Sequence, residues 1–389
     1  MKTLEIIFCL LAFLIFYTYL GYGILLFCLV NIKEFFVKKY ITKLPKELPE
    51  VTLFIAAYNE EDIVKEKMIN CYALNYPPEK LKIVWVTDGS NDNTNDLLQN
   101  YEDVRILFDP KRGGKAAAFN RAMPFIKSPL TIYTDANTML CKEAINEIVK
   151  EFTRKEVACV AGEKRVSTTE KQDATAGEGM YWEYESKLKE LDYRLYSAVG
   201  AAGELFAIRT EFFEYLPADT LLDDFMLSMR IAQKGYKIAY CKNAYAVESG
   251  SANIFEENKR KVRIAAGGLQ SVWRLRSLLN PFKYGVLNFQ YVSHRVLRWT
   301  ITPFALVILF PMNIILINTS KLYLILFVLQ LLFYMAGFFG YLLMKKQVKN
   351  KLLFIPYYFL FMNLNVLRAF SYLRKNKGKG AWEKSKRSV

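Results

Sequence analysis

Lys82-Ile83-Val84-Trp85-Val86-Thr87-Asp88-Gly89-Ser90-Asn91-Asp92-Asn93-Thr94 runs from a short apolar, β-rich segment through an Asp-Gly-Ser turn into polar residues that open a helix. The same order recurs around it. Val51–Ala57, Lys82–Thr87, Val104–Phe108 and Leu130–Thr134 are short β-rich runs. Helical patterns follow them at Glu61–Ala73, Thr94–Tyr101, Lys115–Ile126 and Lys142–Thr153. Strands alternating with helices predict an α/β domain with a mostly parallel sheet, which binds ligands beyond the carboxyl ends of its strands.

The residues after each strand are therefore the ones to read for chemistry. They are Tyr58-Asn59-Glu60-Glu61, Asp88-Gly89-Ser90, Arg112-Gly113-Gly114-Lys115 and Asp135-Ala136-Asn137. Carboxylates, amides and a Gly-Lys element on one rim suit a phosphate-bearing nucleotide with a divalent ion. Asp135 and Asn137 are hard oxygen donors of the kind Mg²⁺ or Mn²⁺ takes, and equally the makings of an Asx turn or helix cap. Asp88 fits a tight turn or a contact to nucleobase or ribose, with Gly89 letting the backbone come close. Arg112 to Lys115 fits either a solvated loop or a diphosphate cradle at a helix N-terminus. The GxxxxGK[ST] pattern is absent, which disfavours a P-loop NTPase.

Asp223-Asp224 precede the helical stretch Phe225–Lys234, ended by Gly235. They read as an N-cap or as a general base. Arg260-Lys261-Val262-Arg263 read as a solvated or membrane-facing cluster, or as cations that neutralise a leaving diphosphate. The single histidine, His294, borders an apolar run, so a base in the central domain must be a carboxylate, Lys, Tyr or Cys.

The net charge of the 389 residues is +15, concentrated beside apolar segments at Lys38-Lys39, Lys345-Lys346, Lys349, Lys351 and the tail from Arg374. That placement reports membrane topology, and no nucleic-acid partner is expected. Six cysteines without CxxC spacing indicate buried thiols in a reducing compartment. Ile6–Val30 is long enough to cross a bilayer. The basic residues Lys33, Lys38, Lys39 and Lys43 after it predict an outward N-terminus and a cytoplasmic central domain. Val296–Ile317 and Leu322–Met344 predict a transmembrane hairpin. Leu352–Leu373, with Pro356, Asn363, Asn365 and Arg368, is either a span or an interfacial segment. The expected organisation is an N-terminal transmembrane helix (1–32), a cytoplasmic α/β domain (45–292), a C-terminal membrane region (293–373) and a basic cytoplasmic tail (374–389), in a multi-pass protein of the inner or plasma membrane.

In this order, from about Val51 to Gly268, the motifs resemble the family 2 glycosyltransferases of the GT-A fold, and most nearly the membrane polysaccharide synthases that make hyaluronan, cellulose, chitin or poly-N-acetylglucosamine. The resemblance implies that Tyr58, Asn59 and Glu60 open the nucleotide site and that Asp88 binds uridine. It implies that Lys115 contacts the donor and that Asp135 and Asn137 hold metal and diphosphate. Gly203-Glu204 would form an acceptor-side loop, and Asp224, beside Asp223, would be the catalytic base. Arg263 would steady the leaving nucleotide. Trp382, in Trp382-Glu383-Lys384-Ser385-Lys386-Arg387, would approach the site from a cytoplasmic tail.

Two positions depart from the family pattern. Asn137 replaces the second Asp of DxD, and the Q-x-x-R-W motif reads Arg260-Lys261-Val262-Arg263-Ile264. The resemblance implies inverting transfer from a nucleotide-sugar, a UDP-sugar, to a glycan acceptor, with Mg²⁺ or Mn²⁺ and with membrane lipids around the helices. Alternatives are single transfer to a lipid acceptor (polyprenyl phosphate or glycolipid), or a non-catalytic nucleotide-binding partner of a secretion or synthase complex.

Overall fold

In the computed structural model, residues 1–37, 42–167, 176–249, 254–346, 348, 350–376 and 378 are described. Helix α1 spans Lys2–Phe36, longer than the apolar run that predicts it. The sheet strands and helices that follow are β1 (Val51–Ala57), α2 (Val64–Tyr72), β2 (Leu81–Asp88), α3 (Thr94–Leu98), β3 (Val104–Asp109), α4 (Lys115–Ala122), β4 (Leu130–Asp135), β5 (Thr138–Leu140) and α5 (Ala144–Glu151). Next come β6 (Val157–Ser167), α6 (Ala176–Leu195), β7 (Leu205–Arg209), α7 (Asp223–Gln233), β8 (Lys237–Ser249) and α8 (Ile254–Arg274). The C-terminal helices are α9 (Pro281–Trp299), α10 (Ile301–Leu316), α11 (Lys321–Lys345) and α12 (Lys351–Lys375).

The strands form one sheet in the order β3-β2-β1-β4-β7-β6-β8-β5. The first four pair in parallel, β7 runs antiparallel between β4 and β6, and β6 and β8 are parallel again. Both faces are covered, which is why these strands read as continuous apolar runs rather than alternating ones. Phe54, Val84, Tyr133 and Phe206 point to one face with Phe119 of α4 and Met226 of α7. Leu53, Ile55, Trp85 and Ile132 point to the other with Met68 of α2 and Ile148 of α5. The period-two alternation of side chains thus sorts each strand between two cores.

Among the described residues, three helices are long and apolar enough to cross a membrane: α1, α11 and α12 (from Leu352). The run Val296–Ile317 is not one helix, contrary to the sequence expectation. It breaks at Thr300, and α9 and α10 meet at 52°. Pro303 accounts for the break, since it cannot donate to the Trp299 carbonyl and its ring crowds the preceding turn. Helix α12 is continuous over the segment that the sequence leaves open. Its Val366 and Ala369 pack on Ala265 and Ala266 of α8.

Helix α1 is fastened to the domain through α6. Tyr22, Leu26 and Val30 pack on Leu188 and Leu191. Arg194 makes a two-pronged pair with Glu34 at 2.8 and 2.7 Å. Lys33 donates to the Arg194 and Leu195 carbonyls at 2.7 and 2.8 Å, closing the C-terminus of α6.

Phe54 is fully buried, with the rings of Phe119 and Tyr133 centred 4.9 and 5.1 Å away. Phe54→Ala is expected to cost about 3–5 kcal/mol of stability, read from denaturant unfolding of the full chain in detergent with tryptophan fluorescence.

Candidate active site

Parallel register brings the strand ends together. Ala57 lies opposite Thr87, Ala56 opposite Asp135, and Asp88 opposite Asp109. Beyond that rim lies a cavity of about 340 Å³. Tyr58, Glu60, Asp88, Lys115, Asp135 and Asn137 line its strand side. Gly203, Glu204, Asp223, Asp224 and Arg263 line the opposite side. Asn59 stands just outside, and Trp382 lies outside the described residues.

Asp88 anchors the glycine loop. Its carboxylate accepts the Gly113 amide at 3.1 Å and the Gly114 amide at 2.6 Å. Arg121 reaches the same carboxylate at 3.5 Å, Asp109 at 3.1 Å and the Thr87 carbonyl at 3.1 Å. The neighbouring Gly89 has φ +73°, and a Cβ there would stand 2.9 Å from backbone atoms of Arg112. Arg112 in turn lays its guanidinium 3.5 Å over the Tyr58 ring. Asn59, at φ 53°, pairs with Asn91 at 2.7 Å, and the Glu60 amide donates to Thr94 Oγ1 at 2.8 Å. The loops after β1, β2 and β3 are therefore mutually fixed.

Lys115, first residue of α4, sits at the centre. Its Nζ lies 2.6 Å from Asp135 Oδ1 and 3.9 Å from Asp223 Oδ2. Burial opposes its charge, but Asp135, Asp223 and Asp224 together hold the ammonium well above its usual range. Asp223 and Asp224 are the first two residues of α7, which starts two residues earlier than the sequence pattern for this helix suggests. Asp224 Oδ1 accepts the Phe225 amide at 2.7 Å. Burial, and next the adjacent Asp223 carboxylate, push Asp224 up to about 7 against the pull of Lys115. Burial likewise raises Asp223, whose Oδ2 has no hydrogen-bond partner. A Cβ on Gly203 would lie 3.3 Å from Asp224 Oδ2 and 3.0 Å from Lys115 Nζ. Glycine keeps that approach open.

Arg260 and Lys261 are buried on α8, and Arg263 faces the cavity, so the basic cluster is not a solvated face. Burial, and then Arg260, bring Arg263 down to about 10. Glu248 lies inside β8 and shares Lys164 with Glu204. Burial works against the Glu204 charge, but Lys164 holds its carboxyl well below the usual range.

Among the described residues, no cluster of three or more His, Cys, Asp or Glu has the arrangement to hold a metal. Asp135 and Asn137 supply oxygen donors at one turn. That fits a hard divalent ion completing its shell with water and substrate phosphates.

Two features of the site were not identified from sequence. Lys67 occupies the apolar stripe Val64, Met68, Cys71 of α2 and is fully buried. It donates to the Thr138 carbonyl at 2.5 Å, tying down the turn that carries Asp135 and Asn137. Burial lowers it to about 8. A lysine at a core position of an amphipathic helix was the available signal. The other feature is the far wall, where Trp182 and Lys189 of α6 and Arg295 and Trp299 of α9 join the cavity. No local pattern marks them.

A mixed sheet with a carboxylate-bearing rim, a glycine loop opening a helix and an aspartate pair facing them is the architecture of a GT-A transferase domain. Residues 52–216 match the model of glycosyl transferase family 2. Over 240 residues it is 26% identical to a poly-beta-1,6-N-acetyl-D-glucosamine synthase of Staphylococcus aureus, covering 59% of this chain and 57% of that one. It is 23% identical over 246 residues to a beta-monoglucosyldiacylglycerol synthase of Trichormus variabilis, covering 60% and 52%. The matches thus span little more than half the length of these relatives. A solved structure of the mannosyltransferase PcManGT from Pyrobaculum calidifontis, in complex with GDP-Man and Mn²⁺, has TM-score 0.71 and 21% identity over 96% of this chain and 99% of that one. The shared fold therefore extends through the apolar helices.

Gly89→Ala should cost about 1–3 kcal/mol from its backbone conformation alone, with the contact to the Arg112 backbone added. A thermal midpoint within a degree of wild type would show that the loop does not need this close approach.

Proposed function

We propose that the chain is a membrane-embedded inverting glycosyltransferase that moves sugar from a nucleotide-sugar donor, a UDP-sugar, to a glycan acceptor in polysaccharide synthesis. The observation that carries this reading is the Asp224 carboxyl. It stands with its pKa at about 7 at the N-terminus of α7, open on the Gly203 side and facing the Lys115–Asp135 pair.

The acceptor hydroxyl oxygen bonds to the anomeric carbon of the donor as the carbon–oxygen bond to the diphosphate breaks. The hydroxyl proton passes to Asp224, whose pKa near neutrality suits a base that must be mostly deprotonated yet able to accept a proton. Asp223 supports it by disfavouring a second nearby negative charge. The electron pair left on the departing diphosphate meets Lys115 and Arg263. Tyr58, Asn59, Glu60 and Asp88 frame the nucleoside side, and Gly203 and Glu204 the acceptor side. Mg²⁺ or Mn²⁺ on Asp135 and Asn137 would neutralise the diphosphate, as a Mn²⁺-containing structural neighbour encourages.

The catalytic domain, residues 45–292, is placed at the cytoplasmic face of the inner or plasma membrane of the cell. The basic flank after α1 supports that orientation. Helix α12 packs along α8, with Arg368 Nη1 3.1 Å from Asn258 Oδ1, which favours an interfacial position and a basic tail kept inside. A synthase or secretion partner subunit would complete an export path.

The test is nucleotide release by purified protein in nanodiscs with UDP-glucose, UDP-N-acetylglucosamine or UDP-galactose, each with Mg²⁺ or Mn²⁺. Release with one donor is expected, lost on chelation. Asp224→Asn should keep saturable UDP binding and lower kcat by about 10²- to 10⁴-fold. Near-normal turnover in that variant would remove the assigned base. Below its pKa Asp224 holds a proton and cannot accept another. kcat/KM is therefore expected to rise with pH and level off above about 7, and a flat profile from pH 5.5 to 8.5 would count against this assignment.

A further inference from the structure

Lys164, on β6, serves two carboxylates. Its ammonium pairs with Glu204, which stands just before β7, and with Glu248 of β8. Lys164 and Glu248 are buried and neither lines the catalytic cavity. Glu204 does line it, with 13% of its side chain exposed. The lysine and Glu248 thus stand behind the cavity wall, and Glu204 is part of the wall.

Glu204 is gripped at its other end as well. Its carbonyl accepts from Thr134 Oγ1 at 3.0 Å and from Thr138 Oγ1 at 3.4 Å. Those two hydroxyls meet each other at 2.9 Å, and Lys67 donates to Thr134 Oγ1 at 3.3 Å. Two buried lysines, one from α2 and one from β6, therefore fix the backbone and the carboxylate of a single residue. A buried polar network of this kind rigidifies what it holds.

One oxygen is left over. Lys164 takes Oε1, while Oε2 receives no hydrogen bond from another described residue. An ionised carboxylate can only accept, and an oxygen without a donor is costly away from water. Burial works against the charge, but Lys164 more than offsets it and holds the carboxyl well below its usual range. Glu204 is accordingly a poor base and a strong acceptor of hydrogen bonds. It also stands beside the residue assigned as base. Gly203, its immediate neighbour, comes so close to Asp224 that a Cβ there would lie 3.3 Å from Oδ2.

We propose that Glu204 is a subsite for a second, non-reacting hydroxyl of the acceptor sugar, with Lys164 as its positioning residue. That hydroxyl donates to Oε2 and keeps its proton, while the reacting hydroxyl gives its proton to Asp224. This rests on the glycosyltransferase reading above and names what the site selects in its glycan acceptor: two hydroxyls on one sugar. An acceptor lacking the second hydroxyl leaves Oε2 unpaired against carbon, and a site built on such a hydrogen bond rejects it.

The experiment uses the full chain in nanodiscs, loaded with UDP, and three probes: cellobiose, chitobiose and lactose. Saturation-transfer NMR reads their binding without turnover. The best-held probe is compared with its analogues that each lack one hydroxyl on the non-reducing sugar. Transfer from the active donor to the same probes gives KM and kcat and identifies the reacting hydroxyl. One analogue altered at a non-reacting position should bind at least tenfold more weakly than its parent. Glu204→Ala should bring the two within about twofold of each other. Lys164→Met keeps an apolar chain against the Trp182 ring, which lies 4.8 Å from the ammonium. It should weaken probe binding at least tenfold, and in turnover raise KM while kcat changes less than threefold. The double variant should bind no worse than Glu204→Ala alone, since one residue acts through the other. Saturable UDP binding in each variant reports that it is folded.

Equal binding of the parent and every non-reacting analogue, or discrimination that survives Glu204→Ala, would overturn the subsite. So would binding of none of the three probes. A Lys164→Met variant with wild-type affinity, or with only kcat reduced, would overturn the positioning role. Absence of UDP release with every donor would instead strike the glycosyltransferase reading, with probe binding still measured on its own.

Discussion

One ammonium holds the candidate site together. Lys115 begins α4, Asp135 ends β4, and Asp223 and Asp224 begin α7, far later in the chain. Three carboxylates at this spacing would repel one another severely in a part-buried site. Lys115 among them offsets that repulsion. The shift of Asp224 to about 7 is thus a property of the cluster: burial raises it, Asp223 raises it further, and Lys115 limits the rise. The same ammonium is aimed at the place where a diphosphate would gather charge.

The sheet explains why those groups meet. Parallel pairing of β2, β1 and β4 aligns their carboxyl ends, and the continuous apolar strands that make this possible are visible in the sequence. The rim residues at Asp88, Lys115 and Asp135 were legible for that reason: each follows a strand at once, so its position is given by chain order. Asp224 was legible differently, through the absence of any histidine in the domain and through the ordered resemblance of motifs.

Other features depend on pairings that no local pattern encodes. The antiparallel insertion of β7 between β4 and β6, which brings Gly203 and Glu204 to the site, is one. The double duty of Asp88, accepting two loop amides and facing Arg121, is another, because it arises between residues 25 to 33 positions apart. The break at Thr300 was foreshadowed by Pro303, but the apolar run through it masked the signal. Lys33 read only as a topology marker, whereas its ammonium caps the carbonyl end of α6.

The junction between membrane helices and domain follows from one buried polar network. Asp192 of α6 accepts from Tyr22 of α1, from Gln290 at 3.1 Å, and faces His294 Nδ1 at 2.6 Å. On its other edge His294 faces Glu185, the carboxylate that serves Arg295 and Arg298. Three helices from opposite ends of the chain are thereby tied by groups that would be unsatisfied if any one of them withdrew. The single histidine is therefore committed to structure, with both ring nitrogens engaged and its side chain fully buried. That commitment leaves acid–base work to carboxylates. Fixing Glu185 between Arg295 and Arg298 also fixes their guanidiniums, and Arg295 lines the candidate site.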